Sequence, residues 1–152
     1  MSELSADTSL IGPWVFAQIN KPWHSMGKEA IGLVRDGEVL AGVVFEDYTG
    51  VAVSVHIAIG DKHAPVRQLF IAACEYAYNQ LGVNKVVGLV STANLAALSL
   101  DLRIGFTPEA IIKGIYPDGD LVILSMSKED CRWLRRPKEV KDGQQIKDSE
   151  AA

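Results

Sequence analysis

The sequence predicts a single α/β domain with a mixed β-sheet, and three observations support this prediction. Runs rich in valine, isoleucine and leucine occupy residues 30–35, 39–46 and 51–59, which is typical of an antiparallel meander. A helical pattern and another apolar run at residues 85–90 then complete a β-α-β unit, whose strands are parallel. A second helical pattern and a closing pair of strands end the folded part, which we expect to span residues 1–134.

The first 28 residues are the least regular part of the sequence. One face of a short helix is indicated by four apolar residues, Trp14, Val15, Phe16 and Ile19. Pro13 and Pro22 interrupt this pattern, so we expect the region to be broken.

The next three strands are defined by their turns. Asp36 and Gly37 separate the first two runs and supply the positive φ angles of a tight hairpin. A turn at residues 47–50 leads into the third strand, whose side chains alternate between two faces. One face is apolar and the other carries small residues and one histidine: Ala52, Ser54, His56 and Ala58.

Two helices flank the run at residues 85–90. Pro65 suits the first turn of the earlier helix, because its missing N–H has no intrahelical partner there. That helix presents an apolar stripe and ends at Gly82. Ser91 or Thr92 can cap the later helix, which ends at Gly105.

A closing hairpin and a polar tail complete the chain. The hairpin joins residues 110–115 to residues 121–126 through the turn from Tyr116 to Asp120. From about residue 135 the sequence is charged and has no periodicity, which predicts a disordered tail at 135–152.

The composition is that of an ordinary globular protein, with 48% hydrophobic and 22% charged residues. The net charge of −4 gives no general attraction to nucleic acid, so we do not expect a nucleic-acid partner.

No run approaches the roughly 20 apolar residues of a membrane span, and no signal peptide is visible. Cys74 and Cys131, like the three histidines, lack metal-ligand spacing. We therefore expect reduced thiols, no metal and a cytoplasmic location.

One ordered motif connects this element order with a known family. Its residues are Asn94, Ala97, Leu100, Asp101, Arg103, Gly105 and Phe106. Over residues 29–127 the chain resembles the GNAT family of N-acyltransferases, whose motif places Asn, Ala, a Leu-Tyr pair, a basic residue and Gly-Phe at these spacings. The turn at Tyr116 and the segment from Cys131 to Leu134 are similar to GNAT-related proteins of phages and prophages.

The resemblance implies a mostly antiparallel central sheet with helices on both faces, and acetyl-CoA or a similar acyl-CoA as donor. The donor would lie in the gap where the strands at 51–59 and 85–90 splay apart. Its pantetheine amides would pair with backbone groups of Ile57, Ala58 and Ile59, and the Asn94 amide would reach a ligand beside its helix. The pyrophosphate would lie at the N-terminus of the helix that follows Pro65.

The predicted phosphate loop departs from the family pattern. It has no glycine after Gly60, and Pro65 removes one N–H donor, whereas glycines let a backbone approach phosphate closely. Lys62, His63 and Arg67 either supply side-chain charge instead or form a solvated turn.

Asp101 stands where the family has the tyrosine that protonates the departing CoA thiolate. A carboxylate with an ordinary pKa of about 3.9 is ionised at pH 7 and cannot donate a proton. Either the pKa of Asp101 is strongly raised, or another group or water acts, or the chemistry is lost. The simplest reading is an exposed residue near the end of its helix.

His56 is the first candidate for the base that deprotonates the acceptor amine. It lies on the small-residue face of its strand, and an ordinary pKa near 6.5 suits a base at neutral pH. A hydrogen-bonded structural histidine explains it equally well. Glu46, at the adjoining turn, is the next candidate, either as a base or as the group that holds a cationic acceptor.

The leading hypothesis is an enzyme that moves an acetyl or similar group from CoA to an unknown amine acceptor by direct attack. A second hypothesis is a GNAT-derived binding or assembly module without catalysis, favoured by the glycine-free loop and Asp101. A third is a phage enzyme that modifies nucleic acid. The sequence leaves a homodimer open.

Overall fold

The computed structural model describes residues 1–134, so the predicted tail at 135–152 lies outside the described residues. The described chain contains seven strands: β1 Glu3–Ser5, β2 Glu29–Arg35, β3 Glu38–Glu46, β4 Ala52–Ile59, β5 Lys85–Ser91, β6 Thr107–Tyr116 and β7 Gly119–Ser127. It contains three α-helices: α1 Thr8–Gln18, α2 Val66–Cys74 and α3 Leu95–Ile104. A π-helical turn at Glu75–Gln80 continues α2. None of the helices within residues 1–134 has the length and apolar character that crossing a membrane requires.

The seven strands form one sheet in the order β1-β2-β3-β4-β5-β7-β6. Only β4 and β5 pair in parallel, as the β-α-β unit predicts, and every other neighbouring pair is antiparallel. Asp36 and Gly37 have φ angles of 51° and 80°, so the predicted hairpin turn is confirmed. The mixed, mostly antiparallel sheet is therefore as expected.

Helices cover both faces of the sheet. On one face, α1 packs Ile11, Val15 and Phe16 against small and branched residues of β2, β3 and β4. On the other face, α2 and α3 contribute to a larger cluster in which Leu69 and Leu124 are fully buried. The strand β4 lies between the two layers, so its alternate side chains reach opposite faces.

The N-terminal region differs from the expectation of a broken segment. The helix α1 is eleven residues long and includes Pro13. The Asp7 side chain caps its N-terminus by accepting the Ser9 N–H. A proline inside a helix costs about 3 kcal/mol. Burial of Ile11, Val15 and Phe16 offsets that cost, since each buried side chain of this size contributes about 1.5–3 kcal/mol.

The cap of α3 also differs from the prediction. Neither Ser91 nor Thr92 caps the helix; the Asn94 side chain accepts the Ala97 N–H at 3.1 Å. The Thr92 hydroxyl instead accepts the Asp120 N–H at 2.9 Å, which ties the end of β5 to the closing hairpin. Asn94 is therefore the residue from which α3 begins.

Replacing Gly12 with alanine should destabilise the protein. A Cβ at this buried position would lie 2.1 Å from the Trp23 ring, so the ring or α1 must move. We expect the free energy of unfolding to fall by about 1–3 kcal/mol, although alanine favours helix more than glycine. Urea denaturation measures this difference. Ala17→Leu, at an exposed position of α1, is the control; an equal loss there would contradict the close packing at Gly12.

Candidate active site

The site is organised by a gap between β4 and β5. Their parallel ladder runs from Ala52–Lys85 to Val55–Gly88 and stops there, although both strands continue. Beyond this pair β4 stays bonded to β3, and β5 stays bonded to β7. The predicted splay is therefore present in the structure.

The gap exposes backbone groups of β4. Gly60 donates its N–H to the Leu40 carbonyl of β3 at 2.8 Å. Because the backbone groups of successive residues alternate between the two edges of a strand, those of Ala58 face β3, and those of Ile57 and Ile59 face the gap. These two residues present an open strand edge to a ligand.

A groove of about 980 Å³ lies at this edge, with residues of α2 and α3 among its walls. Its lining includes six residues that the sequence singled out for cofactor binding: Ile57, Ala58, Ile59, Lys62, His63 and Asn94. Arg67, the seventh, is exposed on the first turn of α2 and does not line the groove. The Asn94 side-chain oxygen caps α3 by accepting the Ala97 N–H. This oxygen is therefore already engaged, which leaves the side-chain NH2 group for the ligand contact that the sequence predicted.

The groove also contains Arg103, Arg132 and Trp133, to which the sequence analysis assigned no role in cofactor binding. The last two belong to the segment after β7, where no periodicity indicates a role. Trp133 donates its Nε1–H to the Ile104 carbonyl at 2.9 Å and packs edge-on against Phe70, with ring centroids 5.3 Å apart. The resemblance had marked the segment from Cys131 to Leu134, but no residue pattern in it indicates that it is anchored beside the groove.

A second pocket, of about 520 Å³, meets the groove at the gap. The two share Ile19, Ile57, Asn94 and Ala97. The second pocket also contains His56 of β4, Asp101 of α3, Lys21 from the loop after α1, and the turn residues Tyr116 and Asp118. The structure thus brings two predicted catalytic residues, His56 and Asp101, to one cavity.

His56 and Glu46 form a hydrogen-bonded pair. Val44 pairs with His56 across the ladder, and Glu46 lies two residues further along β3, so both side chains share a face. His56 Nε2 bonds to Glu46 Oε2, and the imidazole packs edge-on against Phe16 at 5.2 Å. Burial lowers the pKa of His56, and the hydrogen bond to Glu46 only partly opposes this effect.

Lys28 is the third member of this group, and the sequence analysis did not predict its contact with Glu46. Its Nζ lies 3.6 Å from Glu46 Oε1 and 3.2 Å from both ring nitrogens of His24, and its side chain is only 3% exposed. The ammonium also lies over the rings of Phe16 and Trp23, at 5.7 and 5.9 Å. A lysine just before a strand has no distinctive sequence pattern, so only the fold reveals this contact.

The charges around Glu46 favour its ionised form. Burial opposes ionisation, but the hydrogen bond to His56 and the charges of His56 and Lys28 outweigh it, so the pKa of Glu46 is lowered. An ionised Glu46 accepts a hydrogen bond and therefore holds the proton of His56 on Nε2. The free basic nitrogen of the imidazole is then Nδ1.

Asp101 is buried, so the reading of an exposed helix residue is wrong. It is 7% exposed and lies on the side of α3 that also buries Ile104. Its Oδ2 is 3.1 Å from the position that a Cβ would take on Gly88, which is the last residue of β5 to pair with β4. Burial raises the pKa of Asp101 to about 7. The carboxyl can therefore carry a proton at neutral pH.

Replacing Asp101 with asparagine should change how stability depends on pH. The folded protein keeps a proton on Asp101 that the unfolded chain, with a pKa near 3.9, releases. Stability is therefore lost as pH rises from about 4 to about 7, by up to about 4 kcal/mol.

We expect Asp101→Asn and the parent to differ little near pH 4, and the variant to be more stable at pH 8. Urea denaturation at several pH values measures this, with Asp118→Asn at an exposed position as control. A constant difference between variant and parent would contradict burial of an ionisable Asp101.

Solved structures of two enzymes share this fold. A variant of the spermidine N-acetyltransferase SpeG from Vibrio cholerae has a TM-score of 0.64 at 15% identity, over 84% of this chain and 94% of that chain. SpeG with CoA and spermine has a TM-score of 0.63 at 15% identity, over 85% and 96%. The N-acetyltransferase PseH from Campylobacter jejuni, with acetyl coenzyme A, has a TM-score of 0.57 at 16% identity, over 84% and 99%. No family profile and no curated protein matches the sequence. At this identity the likeness establishes the fold, which is the GNAT-type fold that the sequence predicted.

Proposed function

We propose that the protein transfers an acetyl or similar acyl group from acyl-CoA to an amine acceptor by direct attack. The observation that carries this proposal is the open edge of β4, where the groove meets a second pocket that contains both His56 and Asp101. Structures of the same fold with CoA or acetyl coenzyme A bound support acyl-CoA as the donor.

The residues of the groove fit an acyl-CoA. The unpaired backbone groups of Ile57 and Ile59 can bond to the pantetheine amides as an added strand would. The thioester end would then lie at the gap, beside the second pocket. That pocket would admit the acceptor amine, so donor and acceptor would meet at the gap.

His56 acts as the base in this proposal. An amine attacks only after its ammonium form has lost a proton, and His56 Nδ1 can accept that proton directly or through a water. Glu46 holds the imidazole through Nε2, and Lys28 occupies the other oxygen of Glu46. Since both oxygens are engaged, Glu46 orients His56 and is less suited to hold a cationic acceptor.

Asp101 acts as the acid. When the amine nitrogen bonds to the acyl carbon and the carbon–sulfur bond breaks, the electron pair of that bond remains on the CoA sulfur. A protonated Asp101 carboxyl can donate its proton to this thiolate, since its pKa is raised to about 7 by burial. The departure from the family's tyrosine thus keeps a proton donor at the same helix position.

A non-catalytic GNAT-derived module is the second candidate. The loop without glycine after Gly60 favours it, because fewer N–H groups can meet the pyrophosphate. The expected similarity to phage proteins, the cytoplasmic location, a homodimer and the action on nucleic acid all stay predictions.

Acetyl-CoA should stabilise the protein. At a concentration one hundred times the Kd, the expected stabilisation is about 2.7 kcal/mol, which a thermal shift assay detects. Release of free CoA thiol with a panel of amines then separates the enzyme from a binding module. Absence of a shift at millimolar acetyl-CoA would sink the donor assignment, and binding without turnover on any amine would favour the module.

The rate should show a bell-shaped dependence on pH. As pH rises, kcat/KM should first increase as His56 loses its proton, at a pKa that burial holds below the ordinary range, and then decrease as Asp101 ionises near pH 7. His56→Gln should lower kcat by roughly 10²–10⁴ and remove the acid limb, while acetyl-CoA binding is retained. Asp101→Asn should remove the alkaline limb.

Steady-state rates between pH 5 and pH 9 measure these limbs. Ser54→Ala is the control, because Ser54 lies on the same face of β4 but outside both pockets. An unchanged rate and pH profile in His56→Gln would show that His56 is not the base.

A further inference from the structure

The charge of the groove is opposite to that of the protein. The whole chain carries a net charge of −4. The groove is lined by the cations Lys62, Arg103 and Arg132 and by His63, with Asp61 as its acidic residue. A basic groove in an acidic protein indicates an anionic ligand.

Arg132 is held in place on the wall of this groove. Its Nη2 donates to the Arg103 carbonyl near the end of α3, and its guanidinium lies 4.5 Å from the Trp133 ring centroid. The segment is anchored on both sides by the buried residues Cys131 and Leu134. An arginine has five N–H donors, so most of its donors remain for a ligand.

Neither arginine has a carboxylate partner within residues 1–134. Ion pairs among residues 1–134 join Glu46 to Lys28 and to His56, and Glu109 to Lys85, and none of these involves Arg103 or Arg132. Two guanidinium groups that have no carboxylate partner in the described part of the chain line one groove and are suited to a polyanion, because arginine binds phosphate through two N–H groups at once.

The loop that leads from the groove into α2 is poor in backbone N–H donors. Pro65 occupies the N-cap position of α2, has no N–H and makes no side-chain cap. Gly60 is the last glycine before this helix, so the loop cannot wrap its backbone around a phosphate as a glycine-rich loop does. Binding of a phosphate therefore needs side-chain cations from elsewhere.

We propose that Arg103 and Arg132, which line the groove, bind the phosphate groups of the nucleotide end of acyl-CoA. This inference rests on the proposed function, because it assigns the anion to the donor substrate. The segment after β7 is then a functional part of the binding site, and the arginines replace N–H donors that the loop lacks.

Calorimetric titration of the full chain with CoA and with pantetheine tests this proposal. Arg103→Gln and Arg132→Gln should each weaken CoA binding at least about tenfold at low salt, as expected when a charged hydrogen bond to phosphate is lost. Pantetheine, which has no phosphate, should bind the variants as it binds the parent. Arg67→Gln is the matched control, since Arg67 is an exposed cation outside the groove lining.

The two variants distinguish binding from folding. Arg132 also bonds to the end of α3, so its loss can affect the helix, whereas Arg103 contributes only its backbone carbonyl to that contact. CoA affinities of Arg103→Gln and Arg132→Gln equal to that of Arg67→Gln would overturn the inference and leave the proposed function intact. Failure of the parent protein to bind CoA would overturn both.

Discussion

The separation of β4 from β5 after the Val55–Gly88 pair is the constraint on which the site depends. A strand that loses its neighbour leaves backbone donors and acceptors unpaired, and these must bond to water or to a ligand. At this point β4 is still paired with β3, which holds the backbone of its open edge in place. The groove and the second pocket meet there because the sheet divides there.

His56 of the second pocket belongs to a buried group of ionisable side chains. Lys28, Glu46 and His56 are each costly to bury alone, but Lys28 forms an ion pair with Glu46, and Glu46 forms a hydrogen bond with His56. The helix α1 and the loop after it cover this group through Phe16 and Trp23. The N-terminal region, which has the least regular sequence, therefore forms the environment of His56.

The two departures from the family pattern have different physical outcomes. Burial of Asp101 beside Gly88 raises the pKa of its carboxyl to about 7, so the carboxyl can carry a proton at neutral pH at the position where GNAT proteins have tyrosine. In the loop without glycine after Gly60, no change of environment can restore the missing donor, because Pro65 has no N–H. Arg103 and Arg132 line the same groove, and their charges can offset that loss.

The sequence by itself determined the strands β2 to β7, the Asp36-Gly37 hairpin, the parallel β-α-β unit and the position of His56 on the small-residue face of β4. These features follow from local periodicity and turn chemistry. Only the tertiary structure decided the continuation of α1 through Pro13, the contact of Lys28 with Glu46, the burial of Asp101, and the presence of Arg132 rather than Arg67 in the groove. Each of these depends on burial or on residues distant in the chain, and no local pattern encodes desolvation or long-range contact.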